Sequence, residues 1–141
     1  MKILIINGPN LNMLGIREPE IYGYRSYADL LEYICDAAAG LEIVTKFFQS
    51  NCEGAIIDAI HDAYGEVDGI VINPAAYAHS SIAIPDALKA VGIPAVEVHL
   101  TDIGSREPYR RISYTSDACI KTICGKGFEG YRIALEALIN Y

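Results

Sequence analysis

Short aliphatic runs, each broken by a polar or turn-forming segment, punctuate this chain. Lys2 to Asn7 is one such run, and because Gly8-Pro9 ends it, it reads as a buried strand stopped by turn residues. Similar runs span Glu42 to Phe48, Gly69 to Asn73 and Ala95 to Leu100, and a weaker fifth spans Cys119 to Cys124. Between them apolar residues recur at helical spacing, at Tyr27, Leu30, Leu31, Ile34 and Ala38, then at Ile56, Ile57, Ile60 and Tyr64. Ile82 to Val91 predicts a third helix, with Pro85 tolerated in its first turn. The last helix, about Gly127 to Asn140, is predicted to bury Tyr131, Leu135, Leu138 and Ile139.

Strands with continuous rather than alternating apolar residues, interleaved with helices, imply a parallel sheet covered on both faces. Five such units in 141 residues predict one domain over 1-141. The expected fold is α/β, a flavodoxin-like, doubly wound, five-stranded parallel sheet in three layers. In such sheets ligands bind beyond the carboxyl ends of the strands, at the switch point beside the first strand.

Hydrophobic residues make up 52% of the chain, an apolar surplus that predicts a homo-oligomer, yet no run approaches the roughly 18 residues needed to span a bilayer. The segment after Met1-Lys2 is too short and lacks the small-residue site of a signal peptide, so the expected location is cytoplasmic. Cys35, Cys52, Cys119 and Cys124 show no CxxC spacing and sit among apolar neighbours, as reduced core thiols do. Histidines at 61, 79 and 99 have no HxxxH or HxH spacing, and no metal site is expected. A net charge of -7 argues against nucleic acid and acidic membranes as partners. Four of the six arginines nevertheless fall in two short stretches, Arg17 in one and Arg106, Arg110 and Arg111 in the other. Composition alone leaves two readings open, a small anionic ligand or two solvated loop clusters.

The first strand is followed by an unusually long connection, Gly8 to Tyr24, where about two to six residues are usual. It reads either as an active-site lid bearing Asn10, Arg17 and Tyr22, with glycines 8, 15 and 23 as hinges, or as a surface excursion around a buried tyrosine. Asn73 and His79 lie at the carboxyl edge of the third strand, where His79 is read as a cap or as a site residue. In the fourth strand, alternation puts Glu97 and His99 on one face. A carboxylate beside an imidazole fixes its tautomer and favours its protonated form, which suits a general acid, and burying the two in an aliphatic strand costs too much to be casual. The following loop, Thr101 to Arg111, gathers guanidinium groups suited to an anionic substrate. Gly125-Lys126-Gly127-Phe128-Glu129-Gly130 satisfies G-x-G-x-x-G, but no further strand or acidic residue follows at the required distance, so it reads as a tight strand-to-helix turn.

These residues resemble the type II dehydroquinases along essentially the whole chain. The matching segments are Asn7-Gly8-Pro9-Asn10-Leu11 with Leu14-Gly15, Arg17-Glu18-Pro19 with Tyr22-Gly23, and Gln49-Ser50-Asn51 with Glu53-Gly54. Ile72-Asn73-Pro74 with Tyr77 and His79-Ser80-Ser81, Val96-Glu97-Val98-His99-Leu100, and Arg106-Glu107 with Arg110 complete the set. The resemblance implies dehydration of 3-dehydroquinate through an enolate, without cofactor, metal or Schiff base, by a dodecamer of four trimers serving the shikimate pathway or quinate breakdown. It implies Tyr22 as base, His99 as proton donor and Arg17 as a transition-state stabiliser in the lid, with Asn10 holding the water that stabilises the enolate. Asn73, His79, Leu100, Thr101 and Arg110 would bind substrate, the middle pair through backbone groups, and Asp86 would come from the adjacent subunit of the trimer. Gly104 departs from the family pattern, in which a histidine often stands there.

A free tyrosine, with a pKa near 10, is about a thousandfold too protonated at neutral pH, so Arg17 and Arg106 are expected to favour the phenolate. Glu97 is expected to hold His99. The competing expectation is a flavodoxin-like module without catalysis, its first loop cradling a flavin phosphate or another small anion. That loop offers no Ser or Thr between Gly8 and Tyr24.

Overall fold

The structure, a computed structural model, describes residues 1–16 and 18–141. Among the described residues the strands and α-helices follow one another as β1 (Lys2–Asn7), α1 (Pro19–Tyr22), α2 (Tyr27–Gly40), β2 (Val44–Gln49), α3 (Glu53–Asp62), β3 (Gly69–Asn73), α4 (Ala83–Val91), β4 (Ala95–His99), β5 (Lys121–Cys124) and α5 (Glu129–Ile139). The strands form one parallel sheet in the order β2-β1-β3-β4-β5, the flavodoxin-like arrangement.

Strand alternation divides the core in two. Ile3 and Ile5 of β1 face α2 and α5, where Leu30, Ile34, Tyr131 and Leu135 are buried with Val96 and Val98. Leu4 and Ile6 point the other way, toward Ile56 and Ile60 of α3 and Ile84 and Leu88 of α4. The start of α2 is fixed locally by a capping box, in which the Asp29 N–H donates to Ser26 Oγ at 3.1 Å and the Ser26 N–H to Asp29 Oδ2 at 2.8 Å. Pro85 falls in the first turn of α4, where its missing N–H is harmless. Among the described residues no helix is long and apolar enough to cross a membrane.

Several details differ from the sequence reading. β2 begins at Val44 rather than Glu42, and as an edge strand it leaves Val44 63% exposed instead of covered. Tyr64 lies past the end of α3 and is 71% exposed, and Ile139 is 40% exposed. Helical period told which way these side chains face, not whether anything lies over them. Cys35 and Cys52 are exposed and Cys119 and Cys124 only half-buried, so none is a core thiol.

Candidate active site

The switch point lies between β1 and β3, whose last residues, Asn7 and Asn73, are register partners. Both side chains are buried and turn toward Tyr131 of α5, whose hydroxyl donates to Asn7 Oδ1 at 2.6 Å and accepts from Asn73 Nδ2 at 3.1 Å. Burial holds the Tyr131 phenol well above its ordinary pKa, so it stays protonated and able to donate. Asn73 Oδ1 accepts the Ala75 N–H at 3.1 Å, which starts the single-turn helix 75–79. One residue on, the Gly8 N–H donates to the Asn73 carbonyl at 2.8 Å, and a Cβ on Gly8 would lie 2.6 Å from the Pro74 carbonyl oxygen. Gly8 is thus required by close backbone approach and held in place, so it does not serve as a hinge.

The long connection leaves and re-enters the body at nearly one point. Gly15, at φ +86°, would put a Cβ 2.9 Å from the Tyr24 carbonyl oxygen, so the two ends of the excursion touch, as in an Ω-loop. Beyond that neck, Arg25 lays its guanidinium 4.0 Å from the Phe128 ring centroid and anchors the returning chain to the start of α5. Inside the excursion α1 presents Tyr22, half-buried, at its last position. The Tyr22 oxygen accepts a hydrogen bond from Arg106 Nη1 at 3.1 Å, although the two residues are 84 apart in sequence. That bond, and then the charge of the nearby phenol, raise the Arg106 pKa despite partial burial. Arg17, expected in the same lid, lies outside the described residues.

At the carboxyl end of β4, His99 Nε2 meets Glu97 Oε1 at 2.6 Å, with Glu97 fully buried. Burial opposes ionisation of Glu97, but hydrogen bonding and charge from His99 and hydroxyls of Ser113 (2.5 Å) and Thr122 (3.1 Å) more than offset it, and its carboxyl is held below the ordinary range. An ionised carboxylate only accepts, so Nε2 carries a hydrogen and Nδ1 is the ring nitrogen left to meet a ligand. His79 Nδ1 donates to the Ile112 carbonyl at 2.6 Å, which leaves its Nε2 as an acceptor. The two imidazoles stack, with centroids 6.3 Å apart and planes 22° from parallel.

One pocket brings most of the expected residues together. Asn10, Tyr22, Asn73, His79, His99, Leu100, Thr101, Arg106 and Arg110 all line it, with apolar walls from Leu11, Ala75 and Ile103. Asn10 is set by a left-handed backbone (φ 70°) and by its N–H, which donates to Asn51 Oδ1 at 3.0 Å. The carbonyls of Leu100 and Thr101 accept from the N–H groups of Gly127 and Gly125, so the glycine-rich turn supports the site rather than a nucleotide. Arg110 pairs with Glu107 at 2.8 Å, whereas Arg111 does not line the pocket and instead donates from Nε to the Arg106 carbonyl at 2.8 Å. Around Gly104 the loop is tied down by Asp102, whose Oδ1 accepts the Gly104 N–H at 3.0 Å. Glu97 sits behind His99 rather than on the wall, and Asp86, exposed in the first turn of α4, is not among the lining residues. Sequence reading missed Ser113 and Thr122. Thr122 is the register partner of Glu97, so strand pairing identifies it, whereas Ser113 lies in a hydroxyl-rich loop with no periodic signal.

One pocket thus holds a tyrosine facing a guanidinium and an imidazole backed by a buried carboxylate, two groups able to take up and give protons. The sequence profile of the family described as Dehydroquinase class II matches residues 1–139. A curated 3-dehydroquinate dehydratase of Clostridium acetobutylicum is 56% identical over 140 residues, 99% of this chain and 97% of that protein. The crystal structure of a type II dehydroquinase from Butyrivibrio crossotus superposes with a TM-score of 0.97 at 50% identity, covering 99% of this chain and 97% of that one. A second, from Propionibacterium acnes, gives 0.94 at 39% identity over 99% of this chain and 97% of that one. Profile, sequence and fold agree along the whole chain, which belongs to the class II dehydroquinase family.

Proposed function

We propose that this chain, one catalytic domain over 1–141, removes water from 3-dehydroquinate in the shikimate pathway, with Tyr22 as base and His99 as acid. The family and the relatives named 3-dehydroquinate dehydratase support the reaction and leave the flavodoxin-like binding module unsupported. The observation that carries the residue roles is the placement in one pocket of Tyr22, hydrogen-bonded by Arg106, and of His99, hydrogen-bonded by Glu97.

The first step is removal of a proton beside the ketone. A tyrosine must part with its own proton to do this, and Arg106 supplies positive charge at the phenolic oxygen, with Arg17 assigned to the same task. The enolate that develops is stabilised by a water held on Asn10. His99, as imidazolium over the Glu97 carboxylate, then gives its Nδ1 proton to the departing hydroxyl, which leaves as water. The proton taken by Tyr22 and the one lost by His99 return through solvent, and no net change of charge remains. Asn73, His79, Arg106 and Arg110, with backbone groups of Leu100 and Thr101, bind the substrate. The Leu100 and Thr101 carbonyls are already engaged, so their share falls to N–H groups.

Asp86 is assigned to the pocket of a neighbouring copy in a trimer, four of which make a dodecamer. Exposed apolar side chains support an interface there. Ile82 stands at the start of α4, and Tyr114 and Ile120 flank the turn 115–118 packed against that helix. A cytoplasmic location suits the exposed unpaired thiols of Cys35 and Cys52.

The test is to add 3-dehydroquinate and follow the ultraviolet absorbance of the conjugated enone together with exchange of the abstracted hydrogen with solvent. Tyr22→Phe should lose turnover and exchange alike, whereas His99→Gln should lose turnover but keep exchange, because the enolate still forms. Near-normal exchange in Tyr22→Phe would move the base elsewhere, with His79 next in line.

A further inference from the structure

The loop that returns from the arginine segment to β5 touches both site histidines through consecutive residues. The Ile112 carbonyl accepts from His79 Nδ1 at 2.6 Å, and the Ser113 hydroxyl donates to Glu97 Oε1 at 2.5 Å. The same carboxylate oxygen accepts from His99 Nε2 at 2.6 Å. One residue further, the Tyr114 N–H donates to the Ala78 carbonyl at 2.8 Å and pins the turn that bears His79. Ser113 itself has a fixed sense. Its oxygen accepts the Ser116 N–H at 3.3 Å, so its own hydrogen is directed at the carboxylate, which can only accept.

We propose that Ser113 is a positioning residue of the acid half-reaction: it holds the Glu97 carboxylate ionised and oriented against His99, while the adjoining Ile112 carbonyl sets His79. The inference rests on the reading of His99 as the acid. A buried carboxylate tends to keep a proton, and one that kept the proton shared with His99 would leave the imidazole neutral, a far weaker acid than the imidazolium. Thr122, on β5, satisfies Oε2 from the other side but does not touch the oxygen that faces His99. Ser113 does, and it is not among the residues lining the pocket, so its effect on substrate passes through Glu97 and His99.

Other groups near the pair set the background for its titration. His79 stacks on His99 from the turn 75–79, and Tyr22, Arg106 and Arg110 stand on the pocket wall. Cys119, just before β5, and Cys124, at its end, both feel the Glu97 charge. Burial first and that charge second push the Cys119 thiol up to about 12, so it stays neutral and does not compete.

Removing the Ser113 hydroxyl destabilises the carboxylate, so the proton shared by Glu97 and His99 is bound more tightly and resides more on the carboxyl. In Ser113→Ala, kcat should therefore fall by about 10-fold to 100-fold, the range for one hydrogen bond to a charged group, with KM little changed. The alkaline limb of the kcat–pH profile, which reports loss of the acid's proton, should move to higher pH. Ser113→Thr keeps the hydroxyl and should restore both. If the alanine variant does not fold, Ser113→Cys retains the volume with a weaker donor and should show the same changes in smaller measure. A folded Ser113→Ala or Ser113→Cys enzyme with its alkaline limb unmoved overturns the proposal, and so does failure of Ser113→Thr to restore that limb. His99→Gln is measured alongside. Its full activity would overturn instead the reading of His99 as acid, whereas an inactive His99→Gln beside an unaltered Ser113→Ala would remove only the role of Ser113.

Discussion

Tyr131→Phe reaches the active site through the two asparagines that end β1 and β3. The ring is fully buried and its replacement keeps the same carbon skeleton, so no cavity opens and the change is confined to one hydroxyl. That hydroxyl is shared by two buried amides, Asn7 Oδ1 at 2.6 Å and Asn73 Nδ2 at 3.1 Å. Its loss leaves one acceptor and one donor without partners, each costing about 1 to 3 kcal/mol, and we expect a total near 3 kcal/mol after local adjustment. With an unfolding entropy of about 2.1 cal/mol/K per residue, a chain of this length loses about 10 °C in Tm for that destabilisation. Asn73 keeps its bond from the Ala75 N–H but loses its rear support, so the floor of the pocket should loosen. KM for 3-dehydroquinate should rise several-fold, and kcat should fall less, because the two hydrogen bonds lost are made by Asn7 and Asn73, not by the proposed base and acid. Thermal unfolding at fixed protein concentration, together with steady-state kinetics, tests both halves. A Tm within about 2 °C of the parent with unchanged KM would refute the claim that these buried amides depend on Tyr131.

Further tests address other parts of the site. Gly8→Ala sets a methyl group 2.6 Å from the Pro74 carbonyl oxygen, with backbone on both sides, and should cost about 1 to 3 kcal/mol and lower kcat/KM, checked by chemical unfolding and assay. Glu97 is held below the ordinary carboxylate range, so the stability it contributes is present at neutral pH, begins to fade as pH falls below about 4.3, and is gone once pH passes its lower folded value. Glu97→Gln should therefore be less stable at neutral pH yet flatter in its acid dependence, and urea titrations along a pH series would show equal slopes if the assignment is wrong. Arg106→Lys keeps the charge but loses the planar donor set shared by Tyr22 and Thr101, and should lower kcat by about 10²-fold; near-normal turnover would detach Arg106 from the base. Among the described residues no lysine lines the pocket, so borohydride added with substrate should leave activity and protein mass unchanged, and a trapped adduct on Lys2, Lys46, Lys89, Lys121 or Lys126 would contradict the enolate route.

The strands of the central sheet were legible because parallel strands covered on both faces are written as unbroken aliphatic runs, as in Ile3 to Ile6 and Ile70 to Ile72. The edge strand was not, since Val44 and Lys46 pair on one side only and its limits depend on β1 rather than on its own pattern. Glu97 and His99 could be read as a pair from strand alternation alone. Tyr22 and Arg106 were expected together only after the family resemblance had made Tyr22 the base, since no local pattern pairs residues whose contact spans 84 positions. Ser113 was invisible for a related reason: a hydroxyl in a loop acquires meaning from the carboxylate that it happens to meet.

The touching ends of the lid have a consequence for how this site tolerates change. With Gly15 against the Tyr24 carbonyl and Arg25 seated on Phe128, the excursion is mounted on the body as a cassette whose attachment points stay put whatever lies between them. Residues inserted or deleted beyond the neck alter the reach of the cassette but not the path of β1 or α2. Lids of other lengths and charges, grafted between positions 16 and 23 with Arg17 and Tyr22 retained, should therefore be accepted without loss of the sheet, and substrate preference can be varied there independently of the histidine wall.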